Sequence, residues 1–100
     1  MTRSAALQAV LDERQRQIEQ FGHTPEADDA RDLYALTRMA GRFVHRMNET
    51  ASLGRIELTC RDAVRLCALS LAVAESCERR MAHLASATDP APDPGSQIPL

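Results

Sequence analysis

Between Ala63 and Ala74 the chain is apolar nearly all round, through Val64, Leu66, Cys67, Leu69, Leu71 and Val73. A helix with that pattern has little surface suited to water. It is central to its domain, or one of its faces meets another chain. Everything else in the sequence must be arranged around this run. Ala, Leu, Arg, Glu and Gln are abundant and β-branched residues are few, which favours helix throughout. Three residues are aromatic, Phe21, Tyr34 and Phe43. The core therefore rests on Leu, Val, Met, Ala and Cys in closely packed helices. At 100 residues one domain fits and two do not. So small a core is marginal without a second copy of the chain.

The central helix is expected over residues 60–87, with Thr59 and Asp62 forming a capping box at its start. A first helix is expected over 4–21, capped by Ser4 and ended by a left-handed Gly22. Its apolar positions, Leu7, Leu11, Ile18 and Phe21, form a narrow stripe with Arg14 standing in the gap. Residues 22–29 read as a loop, because Pro25 disfavours helix at Thr24. Asp28 or Asp29 then caps a second helix and favours its positive end. That helix carries Leu33, Leu36, Ala40, Phe43 and Met47, spaced 3, 4, 3 and 4. It frays near Asn48 or continues to Leu53 and stops at Gly54. Gly41 inside it costs up to about 1 kcal/mol relative to alanine, which predicts close packing against another helix there. The fold class is thus all-α, a bundle of three main helices over 4–21, 30–53 and 60–87. Residues 1–87 form the domain, and the proline-rich residues 88–100 read as a flexible, disordered tail.

All 12 basic residues are arginine, and 14 acidic residues leave a net charge of −2. That balance gives no bulk attraction to nucleic acid or to an anionic membrane, so direct nucleic-acid binding is not expected. No apolar run approaches the length that spans a bilayer. The N-terminal residues lack the basic-then-apolar order of a signal peptide, which predicts a cytoplasmic protein. Cys60, Cys67 and Cys77 form no CxxC pair and read as small buried hydrophobes. His23, His45 and His83 are scattered, so neither a zinc site nor a nucleophile–histidine pair is legible. His45 and His83 read as surface residues.

Three helices joined by short connections pack most simply up, down and up, so the first and third run parallel. One end of the bundle then collects Glu13, Gln17, Asp28, Asp29, Glu75 and Glu78. Glu78 falls in the seam of the third helix as Arg14 does in the first, in the same layer. Two readings of Glu78 stand. It forms a partly buried pair with Arg14 that sets register, or it is held inward to bind a divalent cation. The second helix also carries a basic stripe, Arg31, Arg38, Arg42 and Arg46, spaced 7, 4 and 4. Arginine forks suit phosphate or carboxylate; the other reading is an ordinary solvated face. No aromatic platform stands beside these arginines in the sequence, which counts against single-strand binding.

Two stretches resemble a widespread family of small phage and prophage proteins. One is Glu13-Arg14-Gln15-Arg16-Gln17-Ile18, followed by Gly22, Thr24-Pro25-Glu26 and Asp28-Asp29. It is similar to that family's ERxRQ helix end and GWTPEHDD-like loop. The other is Arg61-Asp62-Ala63-Val64-Arg65, continuing through Ala68-Leu69 to Glu75 and Glu78-Arg79. It resembles the family's RDLVKAGALILAEIERLDR-like helix. The family in turn looks distantly similar to all-α, MazG-like nucleotide pyrophosphohydrolases, which hold Mg²⁺ with clustered helix carboxylates. The resemblance implies Glu75 and Glu78 at an ExxD pair, with glutamate for aspartate, and Glu13, Asp28 and Asp29 at the family's acidic positions. This chain departs from the pattern at His23, where the family has tryptophan, and at Ala27, where it has histidine. Asp32-Leu33 stands in place of a GEL motif, and Val73 in place of a glutamate. A metal site missing part of its shell loses affinity and geometry together.

These readings lead to a small phage- or prophage-type helical protein that binds a host protein without catalysis and without a cofactor. By analogy of size it resembles compact anti-CRISPR-like inhibitors of host defence. Its candidate binding surfaces are Arg31, Arg38, Arg42 and Arg46, and the acidic group Glu13, Asp28 and Asp29. A homodimer in the host cytoplasm is expected. The alternative is a Mg²⁺-dependent, MazG-like nucleoside triphosphate pyrophosphohydrolase with Asp28, Asp29, Glu75 and Glu78 as metal ligands.

Overall fold

A computed structural model of the chain describes residues 1–88. Four helices follow one another: α1 (Arg3–Phe21), α2 (Pro25–Ala30), α3 (Leu33–Ser52) and α4 (Ile56–Thr88). No strand occurs among the described residues, so the expected all-α bundle is the fold. The tail expected beyond Thr88 lies outside the described residues. No described helix is long and apolar enough to cross a membrane.

The central role of the apolar run is met within the chain. α4 packs against α3, α1 and α2 in turn, and Ala68, Leu69 and Ala72 on it are buried. Its start differs from the expected one. The helix begins a turn earlier, at Ile56, and the Thr59 N–H already bonds to the Arg55 carbonyl at 2.9 Å. Thr59 therefore cannot cap, and its hydroxyl joins the two arms of the α3–α4 hairpin by donating to Thr50 Oγ1 at 2.9 Å. Asp62 is left inside the helix and buried, with neither carboxylate oxygen hydrogen-bonded and Arg61 Nη2 at 3.6 Å.

Other ends follow local chemistry. Thr2, rather than Ser4, caps α1 by accepting from the Ala5 N–H at 3.2 Å. Gly22, at φ 67°, ends α1 as expected. α3 reaches Ser52 and Gly54, at φ 68°, closes the turn. The segment read as a loop contains α2. Thr24 is its cap, accepting from the Ala27 N–H at 3.2 Å, and Pro25 occupies its first turn. A proline disfavours helix before itself but is well suited to begin one. Asp28 and Asp29 therefore lie within α2, and Asp32 takes the cap position of α3 without a side-chain bond.

The topology also departs from the parallel arrangement expected for the first and last long helices. Arg14 pairs with Glu75, whereas Gln17, farther along α1, bonds to the carbonyl of Arg65. The order of partners reverses, so α1 and α4 run antiparallel. α2 then carries the chain back toward Ser76 and Arg80, where α3 begins.

The apolar core is small: Leu36, Ala68, Leu69 and Ala72. The stripe on α1 is covered differently from its pattern. Leu7 and Leu11 are 60% and 54% exposed, while Arg14 and Gln17 are buried. Leu7, Leu11 and Arg14 share a face at helical spacing, but Asp28 of the six-residue α2 reaches only the last of them. The cysteines are not the buried hydrophobes expected. Cys60 and Cys67 are exposed and Cys77 is half-buried, because the covered face of α4 is built from Ala68, Leu69, Ala72 and Ser76. His45 and His83 lie on the surface.

Gly41 does not mark a close helix contact. It is exposed, and a Cβ placed there would meet nothing within 4 Å. Its backbone is helical, so Gly41→Ala is expected to stabilise the chain by about 0.5–1 kcal/mol. A rise in the thermal midpoint followed by circular dichroism checks this; a fall would show a neighbour that the fold does not place there.

Candidate functional site

Arg14 is the centre of the most connected polar group in the molecule. It is 6% exposed, and all three guanidinium nitrogens are engaged. Nη1 donates to the His23 carbonyl at 2.9 Å, Nη2 to Asp28 Oδ2 at 3.4 Å, and Nε to Glu75 Oε1 at 3.2 Å. Three helices and the loop after α1 thus converge on one planar fork, a geometry that lysine could not reproduce. Asp28 is fully buried. Its second oxygen accepts from Arg31 Nη1 at 3.4 Å and lies 3.7 Å from His23 Nδ1.

Adjacent residues on a helix point in different directions, and Asp29 faces α4 instead. It accepts from Arg79 Nε at 2.7 Å and Arg79 Nη2 at 2.9 Å, a two-point contact, and from Ser76 Oγ at 2.7 Å. The Arg79 hydrogen bonds, aided by Ser76, lower its carboxyl from an ordinary 3.8 to about 2. Arg80 completes the clamp. Its Nη2 donates to the carbonyls of Asp28 at 2.9 Å and Arg31 at 2.6 Å, at the C-terminal end of α2. A cation there satisfies carbonyls that the helix itself leaves free.

The Asp29 contact gives a pH dependence of definite sign. Its folded value lies below its unfolded value, so it stabilises the fold above about pH 4, and that contribution is lost as pH falls toward 2. Wild-type thermal midpoints are expected to fall more steeply over that interval than those of Asp29→Asn. Parallel curves would remove the role given to this carboxylate.

The residues considered as Mg²⁺ ligands do not assemble into a cation site. Asp28 and Glu75 do meet, but on the Arg14 guanidinium. Asp29 is turned to Arg79, and Glu78 is exposed, so the seam partner of Arg14 is Glu75, one turn before the expected Glu78. Among the described residues no group of three or more His, Cys, Asp or Glu side chains is placed to hold a metal. Glu13 is separate again. Arg16 grips it at 2.6 and 2.7 Å and, with Gln17, holds its carboxyl below the usual range. Antiparallel packing explains the dispersal: it sets Gln17 beside Arg65, well away from Ser76 and Arg79.

No family model, curated protein or solved structure matches this chain. What it can do must follow from its own geometry.

The basic stripe divides in two. Arg31 is half-buried and belongs to the Asp28 group, whereas Arg38, Arg42 and Arg46 are exposed on α3. Aromatic rings do accompany the arginines in space. Arg38 lies 5.8 Å from the Tyr34 ring, Arg46 lies 5.8 Å from Phe43, and Arg16 lies 5.1 Å from Phe21. All three rings of the chain thus face a guanidinium, a pairing that favours cation binding to the ring face. Sequence reasoning gives Arg79 no role beyond its place in the resembled segment and does not single out Arg80. Their only signal was three- and four-residue spacing from Ser76, which many surface helices share.

Proposed function

We propose that the chain is a small phage- or prophage-type protein that acts as a homodimer by non-catalytic binding to a host protein in the cytoplasm. On this reading it is an inhibitor of a host defence system. The observation that carries the proposal is the imbalance of apolar surface. Among the described residues four hydrophobic residues are buried, while Leu7, Leu11, Phe21, Val44, Leu53 and Ile56 are exposed. Leu7 and Leu11, one turn apart on the same face of α1, form an exposed apolar strip that another protein can cover. Arg38, Arg42 and Arg46 on α3 suit an acidic partner surface. The engagement of Asp28, Asp29 and Glu75 by arginines supports binding over hydrolysis.

The decisive experiment offers nucleoside triphosphates and Mg²⁺ to the pure protein and assays pyrophosphate. No release is expected. Turnover that disappears in Glu75→Gln would overturn the binding reading. In parallel, host-lysate capture by the wild type should be lost in Leu7→Glu, and light scattering should give twice the 11.0 kDa of one chain. A monomer at that mass removes the dimer.

A further inference from the structure

A cleft of about 480 Å³ opens between the end of α1, the middle of α3 and α4. That size suits a small ligand. Its wall is dominated by arginine, and two of the five guanidinium groups there are already neutralised: Arg16 by Glu13 and Arg31 by Asp28. Arg42, Arg46 and Arg65 have no ion-pair partner among the described residues. Three cations without a direct ion pair converge on one concavity, and Arg65 among them is half-buried and within electrostatic reach of Glu13. A low-dielectric wall strengthens the field of such a group, so the cleft concentrates anions.

The cleft is not only cationic. Phe21 and Phe43 both line it, and each ring has a guanidinium near its centroid, from Arg16 and Arg46 respectively. The apolar lining also includes Leu69 and Met39. A third feature is Gln17, which is 3% exposed and lines the same cleft. Its Nε2 donates to Glu13 Oε2 and to the Arg65 carbonyl, both at 3.3 Å. Both neighbours are acceptors, which fixes the amide orientation and leaves Oε1 as the free end. Oε1 is buried and has no hydrogen-bond donor, an arrangement that proteins rarely retain without use.

From these three features we infer that the cleft binds a small phosphorylated ligand with a planar, donor-bearing ring. A nucleoside monophosphate has this chemistry. Its phosphate pairs with Arg42, Arg46 and Arg65, its ring lies against Phe21 and Phe43, and a ring N–H or ribose O–H reaches Gln17 Oε1 once that atom, buried in this structure, turns toward the ligand. Guanidinium groups supply all the charge, so binding needs no metal ion. The site is distinct from the Arg14–Asp28 group; it shares Arg42 and Arg46 with the proposed partner surface, but nucleotide titration and lysate capture are read separately, so failure of one is distinguishable from failure of the other.

Calorimetric titration of the whole protein in EDTA tests this, with AMP and GMP as ligands and adenosine and inorganic phosphate as the two halves. Saturable binding of at least one nucleotide is expected, at least tenfold tighter than either half. Arg42→Gln, an exposed position that leaves the fold intact, should weaken it at least tenfold. Arg38→Gln, on the same helix but outside the cleft, should not. The inference is overturned if neither nucleotide binds, if inorganic phosphate alone binds as tightly, or if Arg42→Gln and Arg38→Gln behave alike.

Discussion

Asp28→Ala is expected to destabilise the protein by about 3–5 kcal/mol, the range for removing one partner of a buried ion pair. Asp28 has no exposed surface, and Arg14 opposite it is 6% exposed. The substitution leaves a buried guanidinium with the His23 carbonyl and Glu75, whose side chain is 44% exposed and so screened by water. It also frees Arg31 from its carboxylate and detaches α2 from α1. At about 4–8 °C per kcal/mol for a domain of this size, the thermal midpoint should drop by more than 10 °C. The double variant Arg14→Met with Asp28→Ala should recover part of the loss, because no charge then stays buried alone. A drop of less than about 1 kcal/mol in the single variant would place the pair with ordinary surface salt bridges.

Leu36→Ala is expected to cost about 2–5 kcal/mol, the range for large-to-small changes in a packed core. Leu36 is fully buried on α3 and is one of four buried hydrophobic residues among the described residues. So few buried groups leave little to close around the cavity. The matched control is Leu7→Ala, at a residue 60% exposed, which should barely move the midpoint of an isolated chain. A Leu7→Ala loss that grows with protein concentration would instead report an interface between copies. Urea titration of both variants separates the cases, since a smaller loss at Leu36 than at Leu7 would reverse the assignment of core and surface.

The three long helices and the central place of the last are legible from local pattern. The run around Val64–Val73 demands cover on several sides, and α1, α2 and α3 supply it. Gly22 and Gly54 stop their helices because only glycine takes positive φ there at no steric cost. α2 has a local signal too: Thr24-Pro25 forbids helix at Thr24 and at the same time starts one at Pro25.

The site was legible in its members but not in its pairings. Arg14 stands out as a charge in a seam, and Asp28-Asp29 as an acidic pair. Which carboxylate meets Arg14 depends on the direction of α1 along α4. Parallel packing would set Arg14 beside Glu78; the antiparallel packing observed sets it beside Glu75 and brings Gln17 to Arg65. The same direction leaves Leu7 and Leu11 uncovered and opens the arginine-lined cleft.

Sequence by itself determined that this protein is helical, where two of its turns fall and which helix is central, since propensity, glycine stops and apolar periodicity act over a few residues. Tertiary structure alone decided which arginine holds which carboxylate, which leucines stay outside, and that Asp62 is buried without a hydrogen bond. Those outcomes depend on helix direction and on how far a six-residue helix reaches, and neither is encoded in any local pattern of side chains.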